Sequence, residues 1–476
     1  MRKWSALIAV CIGTFMLLVD VTIVTVALPA VARDLHAGLG GLQWVLDGYA
    51  LALAAVLLAA GAVADRHGRR RVYLGGTVLF AAASLLCALA PNPGLLIAAR
   101  FLQGLGGAAM FATTVAILSV AYTGRDRGVA FGIWGAVNGA AAAAGPIAGG
   151  LLTEHYGWHW IFLVNIPVSL IAVGFTLRGV TESRGRAGAR LDLAGTVTFT
   201  VSAAAAIYGL IRGGDAGWTD RLTLASFALA AFALVAFVAV ERMAAHPMLD
   251  LALFAKPSFA ALMVAAVLVQ AAAFAYLPFT TVWLQQFLGK GPVDAGLLGA
   301  LPLSAASFIV GALGGRFLQR VSPRWTIGIG TLLIAAGAFA QARLTAASPA
   351  TVLIPGLILA GLGVAAVLPT LASAVLAAVP HERSGMAGGA VNTFRQLGFA
   401  LGVAVFGSIF ADRLAAHTPP TLGTAADAVN HVLIAAGAVA VAAAVLVLVL
   451  VRAGRPAWEP QPEATPGTPQ AAASAR

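Results

Sequence analysis

The chain has 476 residues, of which 60% are hydrophobic and only 10% are charged, with a formal net charge of +11. Soluble domains contain about 25% charged residues, so this composition excludes a water-soluble protein and indicates an integral membrane protein. The basic residues lie in short clusters between apolar runs, which is typical of membrane topology and not of a nucleic-acid-binding surface. Cys11 and Cys87 both lie in apolar runs, so neither a disulfide framework nor a metal site is expected.

Apolar runs long enough to cross a bilayer as helices recur along the whole chain. The predicted fold is therefore all-α and integral to the membrane, with about fourteen transmembrane helices. These spans begin near Ser5, Gln43, Val72, Pro93, Gly128, Trp158, Leu191, Leu222, Ala260, Asp294, Trp325, Val352, Gly385 and Val429. An even number of spans places both termini on the same side of the membrane.

Lysine and arginine residues are unevenly distributed between the two sides. With the termini inside, 21 of the 29 lie in cytoplasmic segments and 6 in external loops, while Arg100 and Arg395 lie within spans. Because loops rich in lysine and arginine stay in the cytoplasm, this asymmetry fixes the orientation. The sequence predicts a multi-pass protein of the cell inner (cytoplasmic) membrane with both termini cytoplasmic.

Three segments of the first half recur weakly, in the same order, in the second half. The pairs are GAVADRHGRRR from Gly61 with GALGGRFLQRV from Gly311, GLGGAAM from Gly104 with GLGVAAV from Gly361, and DRGVAFG from Asp126 with ERSGMAG from Glu382. The offsets of 250, 257 and 256 residues predict two pseudo-symmetric six-helix bundles, residues 1–180 and 257–453. Residues 181–256 would form an inserted two-helix hairpin with cytoplasmic linkers. Residues 454–476, rich in Pro, Ala and Thr, would form a disordered cytoplasmic tail.

Asp20 is the only charged residue between Trp4 and Ala32. An ionised Asp at the bilayer centre costs about 2.5–3.5 kcal/mol on insertion scales. Because removal from water disfavours the charged form, Asp20 is predicted to gain and lose a proton during function. Arg100, about 10 Å into the fourth span, is its predicted partner. The alternatives are an ion pair that only fixes helix packing, and an Arg100 side chain that extends to the outer interface.

Asp47 is the second acid in a predicted span, about 6 Å from its outer end. Its predicted role is to attract a cationic group of a substrate, and the alternative is an interfacial Asp that stabilises the start of the helix.

Aromatic residues in spans often pack or face lipid, but four could line a substrate cavity: Trp44, Tyr49, Phe111 and Trp134. Arg395 is a second cation inside a span, and no acid occurs in its own or neighbouring spans.

Four motifs resemble those of the fourteen-helix drug:proton antiporters of the major facilitator superfamily, and the likeness covers nearly the whole chain. LLVDVTIVTVALP resembles the first-helix motif, GAVADRHGRRR the loop signature after the second helix, ARFLQGLGGAA the fourth-helix motif, and GAVNGAAAAAGPIAGG the antiporter motif of the fifth helix. The resemblance implies the major facilitator fold and proton-driven export. An acid in the second helix, as at Asp47, resembles the pattern of members that expel lipophilic cations.

Two of these motifs carry predicted gating residues. In the loop motif Gly68 permits a tight connection, and a charge latch between the bundles is predicted from Asp65, Arg66, Arg69 and Arg70. The alternative is a basic loop that only holds this turn in the cytoplasm. The fifth-helix motif combines small residues that allow close helix approach with a kinking proline: Gly145, Pro146, Gly149 and Gly150. The resemblance implies a hinge or seal there, and plain helix packing is the alternative.

The predicted function is proton-coupled secondary active efflux of amphipathic, cationic drugs or toxic compounds, and not an enzymatic activity. The alternative within transport is a dedicated exporter of a single natural product, lipid or metabolite. The expected partners are a small-molecule substrate, protons and the lipid bilayer, without nucleic acid, cofactor or metal, and the protein is expected to act as a monomer. Hypotheses from other classes are a membrane enzyme with an Asp20–Asp47 dyad and a sensor built on a transporter scaffold. The different depths of the two acids argue against the dyad.

Overall fold

The computed structural model describes residues 4–122, 124–184, 192–244, 247, 249–318, 321–379, 384–415 and 420–451. Within these ranges the regular structure is helical and includes no strand. Eleven helices are long and apolar enough to cross a membrane, and the bent pair Pro292–Gly299 and Leu301–Gly311 would make a twelfth. The all-α, many-spanning membrane fold is thus confirmed.

Two further long helices occupy the positions of the predicted fifth and eleventh spans, Gly124–Tyr156 and Pro323–Gln341. They are not among the helices that meet the length and hydropathy criteria for a span within the described ranges. The count of fourteen therefore stays a prediction. The predicted tail and the predicted span start at Leu191 lie outside the described residues.

The first half of the chain is built from helices with short connections. They are α1 (Ser5–Leu35), α2 (Leu39–His67), α3 (Arg69–Ala88), α4 (Pro93–Ala121), α5 (Gly124–Tyr156), α6 (His159–Leu163) and α7 (Asn165–Gly179). The start of α4 shows how the sequence sets these boundaries. Pro93 occupies the first helical turn, where its missing N–H is not needed, and the Asn92 side chain accepts a hydrogen bond from Leu95 N at 2.9 Å.

A helical hairpin and the second half follow. They comprise α8 (Leu193–Ala216), α9 (Arg221–Met243), α10 (Pro257–Phe274), α11 (Leu277–Val282), α12 (Pro292–Gly299), α13 (Leu301–Leu318), α14 (Pro323–Gln341), α15 (Leu353–Ala377), α16 (Ser384–Ala415) and α17 (Leu422–Leu450). A π-helical turn, Trp283–Phe287, extends α11, and two short 3₁₀ helices, Leu251–Ala255 and Ala350–Val352, precede α10 and α15. Thr421 and Thr424 form a reciprocal capping box at the start of α17.

The glycines of the repeated GLGG and GLGV segments bring three helices together in each half. A Cβ on Gly104 of α4 would lie 2.5 Å from the Tyr49 carbonyl oxygen of α2, and one on Gly106 would lie 2.7 Å from Phe80 N of α3. In the second half, Gly361 of α15 packs against the Leu303 carbonyl of α13 in the same way. Small residues let helix backbones approach this closely in a membrane.

Many outward-facing side chains of the long helices are large and apolar. On α9 the exposed fractions of Phe232 and Val235 are 73% and 69%, and Leu170 on α7 reaches 68%. An exposed apolar surface of this kind would drive aggregation in water, whereas lipid tails solvate it. The side chains that would face lipid are therefore as hydrophobic as the packed interior.

The hydrophobic cores show that the two halves are joined mainly at one end of the bundle. One core contains residues of both halves, such as Val24 and Leu42 with Phe279 and Trp283, and it lies toward the α1–α2 connection. Toward the other end, which carries the turn at Gly68, one core draws on residues 6–180 and the other on residues 199–451. We refer to the end at residues 36–38 as the closed end and to the opposite one as the Gly68 end.

Candidate functional site

The first half contains a fully buried ion pair between α1 and α4. Arg100 Nη1 donates to Asp20 Oδ2 at 2.5 Å, and the exposed fractions of the Arg100 and Asp20 side chains are 1% and 0%. The guanidinium also donates from Nε to the Val45 carbonyl of α2 at 3.1 Å. Arg100 therefore does not extend to the interface, and the structure places it in contact with the predicted partner.

Uncharged polar residues complete the shell around Asp20. Its Oδ1 accepts hydrogen bonds from Gln103 Nε2 at 2.8 Å and from Asn165 Nδ2 at 2.9 Å. Both amides also donate to Ser84 Oγ, at 2.8 and 3.3 Å respectively. These residues come from α4, α7 and α3, so four helices meet at one carboxylate.

The Arg100 guanidinium is also held by aromatic rings. It lies 4.3 Å from the centroid of the Tyr49 ring and 5.9 Å from that of Phe162. Such cation–π contacts gain strength when the cation is removed from water. Tyr49, predicted as a substrate-cavity residue, is thus part of the wall around Arg100.

Asp47 lies fully buried, and neither of its carboxylate oxygens has a hydrogen-bond partner within the described part of the chain. Because α2 begins at Leu39 and not near Gln43, Asp47 lies about 12 Å into the helix, deeper than predicted. It does not cap the helix, since the N-cap is Gly38. Burying a carboxyl group without hydrogen-bond donors is costly, so packing alone does not explain Asp47.

The contact between α2 and α16 encloses Asp47 on both sides. Gln43 Nε2 donates to the Val403 carbonyl at 3.1 Å, and Thr393 Oγ1 donates to the Ala54 carbonyl at 3.2 Å. Asp47 is one turn beyond Gln43 on the same face of α2. The acid therefore lies where the first half of the chain meets the second.

The other aromatic candidates do not gather at one place. Trp44 lies near the closed end beside Tyr208, with ring centroids 6.4 Å apart, at a cavity of about 490 Å³ that Arg212 also lines. Trp134 donates from Nε1 to Thr14 Oγ1 at 3.0 Å, and Phe111 packs on the core that belongs to the first half alone. Three of the four predicted residues, Tyr49, Phe111 and Trp134, thus lie in or against the core of the first half, and Trp44 lies apart from them.

The small-residue face of α5 packs against α1 and α12 at the closed end. A Cβ on Gly145 would meet the Thr22 hydroxyl, and one on Gly149 would lie 2.9 Å from the Ile23 carbonyl oxygen. Gly150 faces Val293, and the Pro146 carbonyl packs against Gly296, both in α12. Gly145 and Gly149 therefore hold α5 against α1 within the first half, and Gly150 and Pro146 hold it against α12 of the second half.

The predicted latch residues contact their own half of the chain. Arg69 forms an ion pair with Asp65 at 2.9 Å, and Arg70 Nη2 donates to the Leu177 carbonyl at 2.9 Å. Gly68 has φ of +112°, and a Cβ there would lie 2.6 Å from the Glu182 carboxylate. Arg66 is exposed at the end of α2. The predicted contact between bundles is not formed by the described residues in this conformation.

Glu182 was not predicted from the sequence, although it organises this turn. Its Oε1 accepts from Arg70 N at 3.1 Å and its Oε2 from Arg71 N at 3.3 Å, at the start of α3. A carboxylate at a helix N-terminus satisfies free N–H groups and complements the helix dipole.

The residues around Asp20 that sequence analysis missed are Gln103, Asn165 and Ser84. They are uncharged, and nothing in their local sequence distinguishes them from packing residues.

Arg395 of α16 has amide partners in place of a carboxylate. Its Nε donates to Gln270 Oε1 of α10 at 3.1 Å, and its Nη1 donates to Asn392 Oδ1 at 3.4 Å. Among the described side chains, no Asp or Glu forms an ion pair with it. The described residues also contain no group of three or more His, Cys, Asp or Glu side chains that could hold a metal ion.

Comparison with known proteins gives a consistent result for the sequence and for the fold. The family profile described as Major Facilitator Superfamily matches residues 10–403 and 262–475. The multidrug resistance protein Stp of Mycobacterium tuberculosis is 39% identical over 417 residues, which cover 87% of this chain and 77% of that protein. The tetracenomycin C resistance and export protein of Streptomyces glaucescens is 35% identical over 414 residues, with the same two coverages.

Among solved structures, a bacterial homologue of the human lysosomal transporter Spinster has a TM-score of 0.67. The match covers 95% of this chain and 97% of that one, at 18% sequence identity. At that identity the match shows the fold alone. The helical architecture of a membrane transporter therefore extends over nearly the whole chain.

Proposed function

This chain belongs to the major facilitator superfamily, and we propose that it is a proton-coupled antiporter that exports amphipathic, cationic drugs or toxic compounds from the cytoplasm. Members of this superfamily are membrane transporters of small molecules and not enzymes. Relatives that are 35–39% identical over most of this chain are named for multidrug resistance and for resistance to and export of an antibiotic. Resistance to toxic compounds is common to both names, and one of them also names export.

The buried Asp20–Arg100 pair supports proton coupling most directly. With Asp20 ionised, the pair is neutral and the carboxylate accepts three hydrogen bonds from Arg100, Gln103 and Asn165. Protonation of Asp20 would leave the Arg100 charge uncompensated in a dry environment, which is costly. Proton binding would therefore favour a different helix arrangement, and this is how a proton gradient would drive the exchange.

Asp47 is the proposed site for the cationic group of the substrate. It is fully buried between α2 and α16 in this conformation, so no substrate contacts it here. A substrate cation would reach it once this helix contact rearranges, and the ionised carboxylate would then gain a counter-charge. Asp47 would thus act in a different conformational state from the Asp20–Arg100 pair. Phe111 and Trp134, on the core of the first half, and Trp44, at the cavity beside α8, are proposed to contact apolar parts of the substrate.

We place the Gly68 end and both termini in the cytoplasm. This orientation rests on the distribution of lysine and arginine, with 21 residues on that side against 6 on the other. The shared hydrophobic core then seals the external side, so the conformation is one that admits substrate from the cytoplasm. We further propose a six–two–six division of the helices, with α8 and α9 as the inserted hairpin, and a monomeric transporter.

The proposed gates lie at opposite ends of the molecule. At the closed end, the face formed by Gly145, Pro146, Gly149 and Gly150 acts as the external seal against α1 and α12. At the Gly68 end, the charges at Asp65, Arg66, Arg69 and Arg70 are proposed to contact the second half when the cytoplasmic side closes. In the present conformation Asp65 holds Arg69, and Glu182 holds the start of α3.

Transport by the purified protein in proteoliposomes with an imposed pH gradient tests proton coupling. We expect gradient-driven export of a fluorescent lipophilic cation by the wild type, and none by Asp20→Asn. Asp220→Asn is the matched control, because it removes a carboxylate that lies outside the spans. Its partners among the described residues are Arg212, at 2.8 Å, and the Leu222 and Thr223 N–H groups at the start of α9. Gradient-driven exchange at the wild-type rate in Asp20→Asn would refute the role of Asp20.

A dedicated exporter of one compound is the second candidate. It is favoured by the relative named for resistance to and export of tetracenomycin C, whose identity to this chain is nearly that of the multidrug resistance protein. Expression in a host without its own efflux pumps, followed by a panel of chemically unrelated toxic compounds, distinguishes the two candidates. Protection against several unrelated classes supports multidrug export, and protection against a single class supports the dedicated exporter.

A further inference from the structure

Arg395 is a cation in the membrane-spanning part of the second half that has no anionic partner among the described side chains. It lies about 14 Å along α16 from Met386, the first residue of the span, at a rise of about 1.5 Å per residue. The described residues offer it only the amide oxygens of Gln270 and Asn392. A guanidinium at this depth is costly unless it faces a polar or water-filled space.

Arg395 projects from α16 between the directions in which this helix contacts α10 and α2. Gly398 and Gly402 pack against Val267 and Ala271 of α10. Thr393, on nearly the opposite side of the helix from these two glycines, contacts Ala54 of α2. Arg395 therefore lies on the α10 side of the interval that separates these contacts.

Asn392, Arg395 and Gln396 follow the spacing i, i+3 and i+4, so they share one face of the helix. All three side chains are partly exposed, as is Gln270 on the neighbouring helix. Since α2 belongs to the first half and α10 to the second, this polar face lies toward the space between the halves. That space is where a transported molecule must pass.

The charge of Arg395 is not balanced by a described carboxylate, whereas the charge of Arg100 is balanced by Asp20. Arg100 has a carboxylate at 2.5 Å, and its side chain is only 1% exposed. Arg395 has no carboxylate partner among the described side chains and remains partly exposed. Its two amide acceptors orient the guanidinium without neutralising it, so the remaining N–H donors are available to an incoming acceptor.

We infer that Arg395, Gln270, Asn392 and Gln396 form a subsite for an anionic group of the substrate, and that the group is a carboxylate. This inference deepens the proposed function and rests on it. A carboxylate suits the planar guanidinium, which can donate two parallel hydrogen bonds to it, while amide N–H groups supply further donors. With Asp47 proposed to receive a cation, the transporter would favour amphipathic compounds that carry both charges.

A matched pair of dyes tests the subsite by direct binding to the purified protein in lipid nanodiscs. Rhodamine B carries a free carboxylate, and its ethyl ester has the same cationic ring system without that charge. The wild type is expected to bind rhodamine B more tightly than the ester. Arg395→Gln should weaken binding of rhodamine B by about tenfold or more while changing ester binding less than about twofold, because only the acid loses a charge-assisted pair.

A second variant keeps the arginine and supplies an internal competitor. Gln270→Glu places a carboxylate where Arg395 Nε now donates to an amide, so it should weaken rhodamine B binding and leave the ester unaffected. Arg395→Lys should restore part of the preference for the acid. Arg413→Gln, which removes an exposed cation near the other end of α16, is the control and should retain the wild-type preference.

Three results would overturn the subsite: equal binding of both dyes by the wild type, an unchanged preference in Arg395→Gln, or equal loss of both dyes in that variant. The last would identify Arg395 as a structural residue. Failure of the proposed function gives a different pattern. In that case the purified protein would retain its preference for the acid, while transport in proteoliposomes would show no response to the pH gradient.

Discussion

The two halves of the molecule share their helix packing but differ in what they place at the centre. Gly104 and Gly361, 257 residues apart, press α4 and α15 against the Tyr49 and Leu303 carbonyls. The same offset relates Arg100 to Leu357 and Gln103 to Ala360, and both second-half residues are fully buried. The shared fold therefore depends on glycine contacts, and the ion pair is an addition that packing does not require.

The equivalence extends to the acid on α2. Counting back two residues from Tyr49 and from Leu303 gives Asp47 and Leu301. The second half thus has apolar residues where the first half has an arginine, an amide and an acid. Its own cation, Arg395, lies on a different helix and, within the described part of the chain, bonds to the amides of Gln270 and Asn392. In our proposal, a proton disrupts the ion pair of the first half, and a substrate carboxylate pairs with Arg395 of the second half.

Breaking the Asp20–Arg100 ion pair of the first half should have the largest effect on stability. Arg100→Leu gives α4 the residue that α15 has at the equivalent position, but it leaves Asp20 buried without its counter-charge. Loss of one partner of a buried pair costs about 3–5 kcal/mol, so the thermal unfolding temperature in detergent should fall markedly. The double variant Asp20→Asn/Arg100→Leu should recover most of this loss and still show no gradient-driven exchange. If the double variant is as unstable as Arg100→Leu, the pair has no special role in stability.

Adding a methyl group to each shared glycine tests whether the packing is equivalent. Gly104→Ala and Gly361→Ala both force a Cβ against a backbone carbonyl of the neighbouring helix, and each should destabilise the protein by about 1–3 kcal/mol. Only Gly104→Ala should also alter the pH dependence of transport. Tyr49, whose carbonyl it displaces, holds its ring 4.3 Å from the Arg100 guanidinium. A Gly361→Ala variant with wild-type stability would contradict the equivalence.

Removing the carboxylate that caps the turn at Gly68 should have a smaller effect on stability. Glu182→Ala removes the acceptors for Arg70 N and Arg71 N, and loss of such a cap costs about 0.5–2 kcal/mol. Ser183→Ala is the matched control, because Ser183 bonds to this turn through backbone atoms that alanine keeps. Its carbonyl accepts from Arg69 N at 2.9 Å, and its N–H donates to Glu182 Oε1 at 3.1 Å. Thermal unfolding of the two variants side by side gives the difference. Equal unfolding temperatures would show that water replaces the carboxylate without loss.

The sequence predicts charged contacts within the spans better than uncharged ones. Asp20 and Arg100 stand out because charges are rare in apolar runs, and their depths suggested the contact that the structure shows. Gln103 and Asn165 carry no such signal, since amides are common in packed helices. Glu182 is 112 residues from Arg70, so only the fold brings them together.

Helix boundaries were a second source of error, and they changed the interpretation of Asp47. The Leu39–Gly40–Gly41 segment reads as a loop because glycine disfavours helices, yet α2 begins at Leu39. Tertiary packing overrides the local preference, so Asp47 lies about 12 Å from the start of its helix and not about 6 Å. The location of Asp47 opposite α16 could not be predicted, because it depends on the register between two helices from different halves.

Asp47 gives the smallest expected effect on stability and the clearest separation of folding from function. Asp47→Asn removes no hydrogen bond among the described residues, so the unfolding temperature should change little. Asp47→Leu, which copies Leu301 of the second half, should leave stability equal or higher, since an apolar side chain packs in a dry site without a polar group to satisfy. Both variants should reduce export of cationic substrates while sparing neutral ones, as measured by competition between a cationic and a neutral fluorescent substrate in proteoliposomes. A large loss of stability in Asp47→Leu would show that the carboxyl group has a donor in the folded protein. Asp47 would then contribute to helix packing, as the shared glycines do, and would not mark a functional difference between the halves.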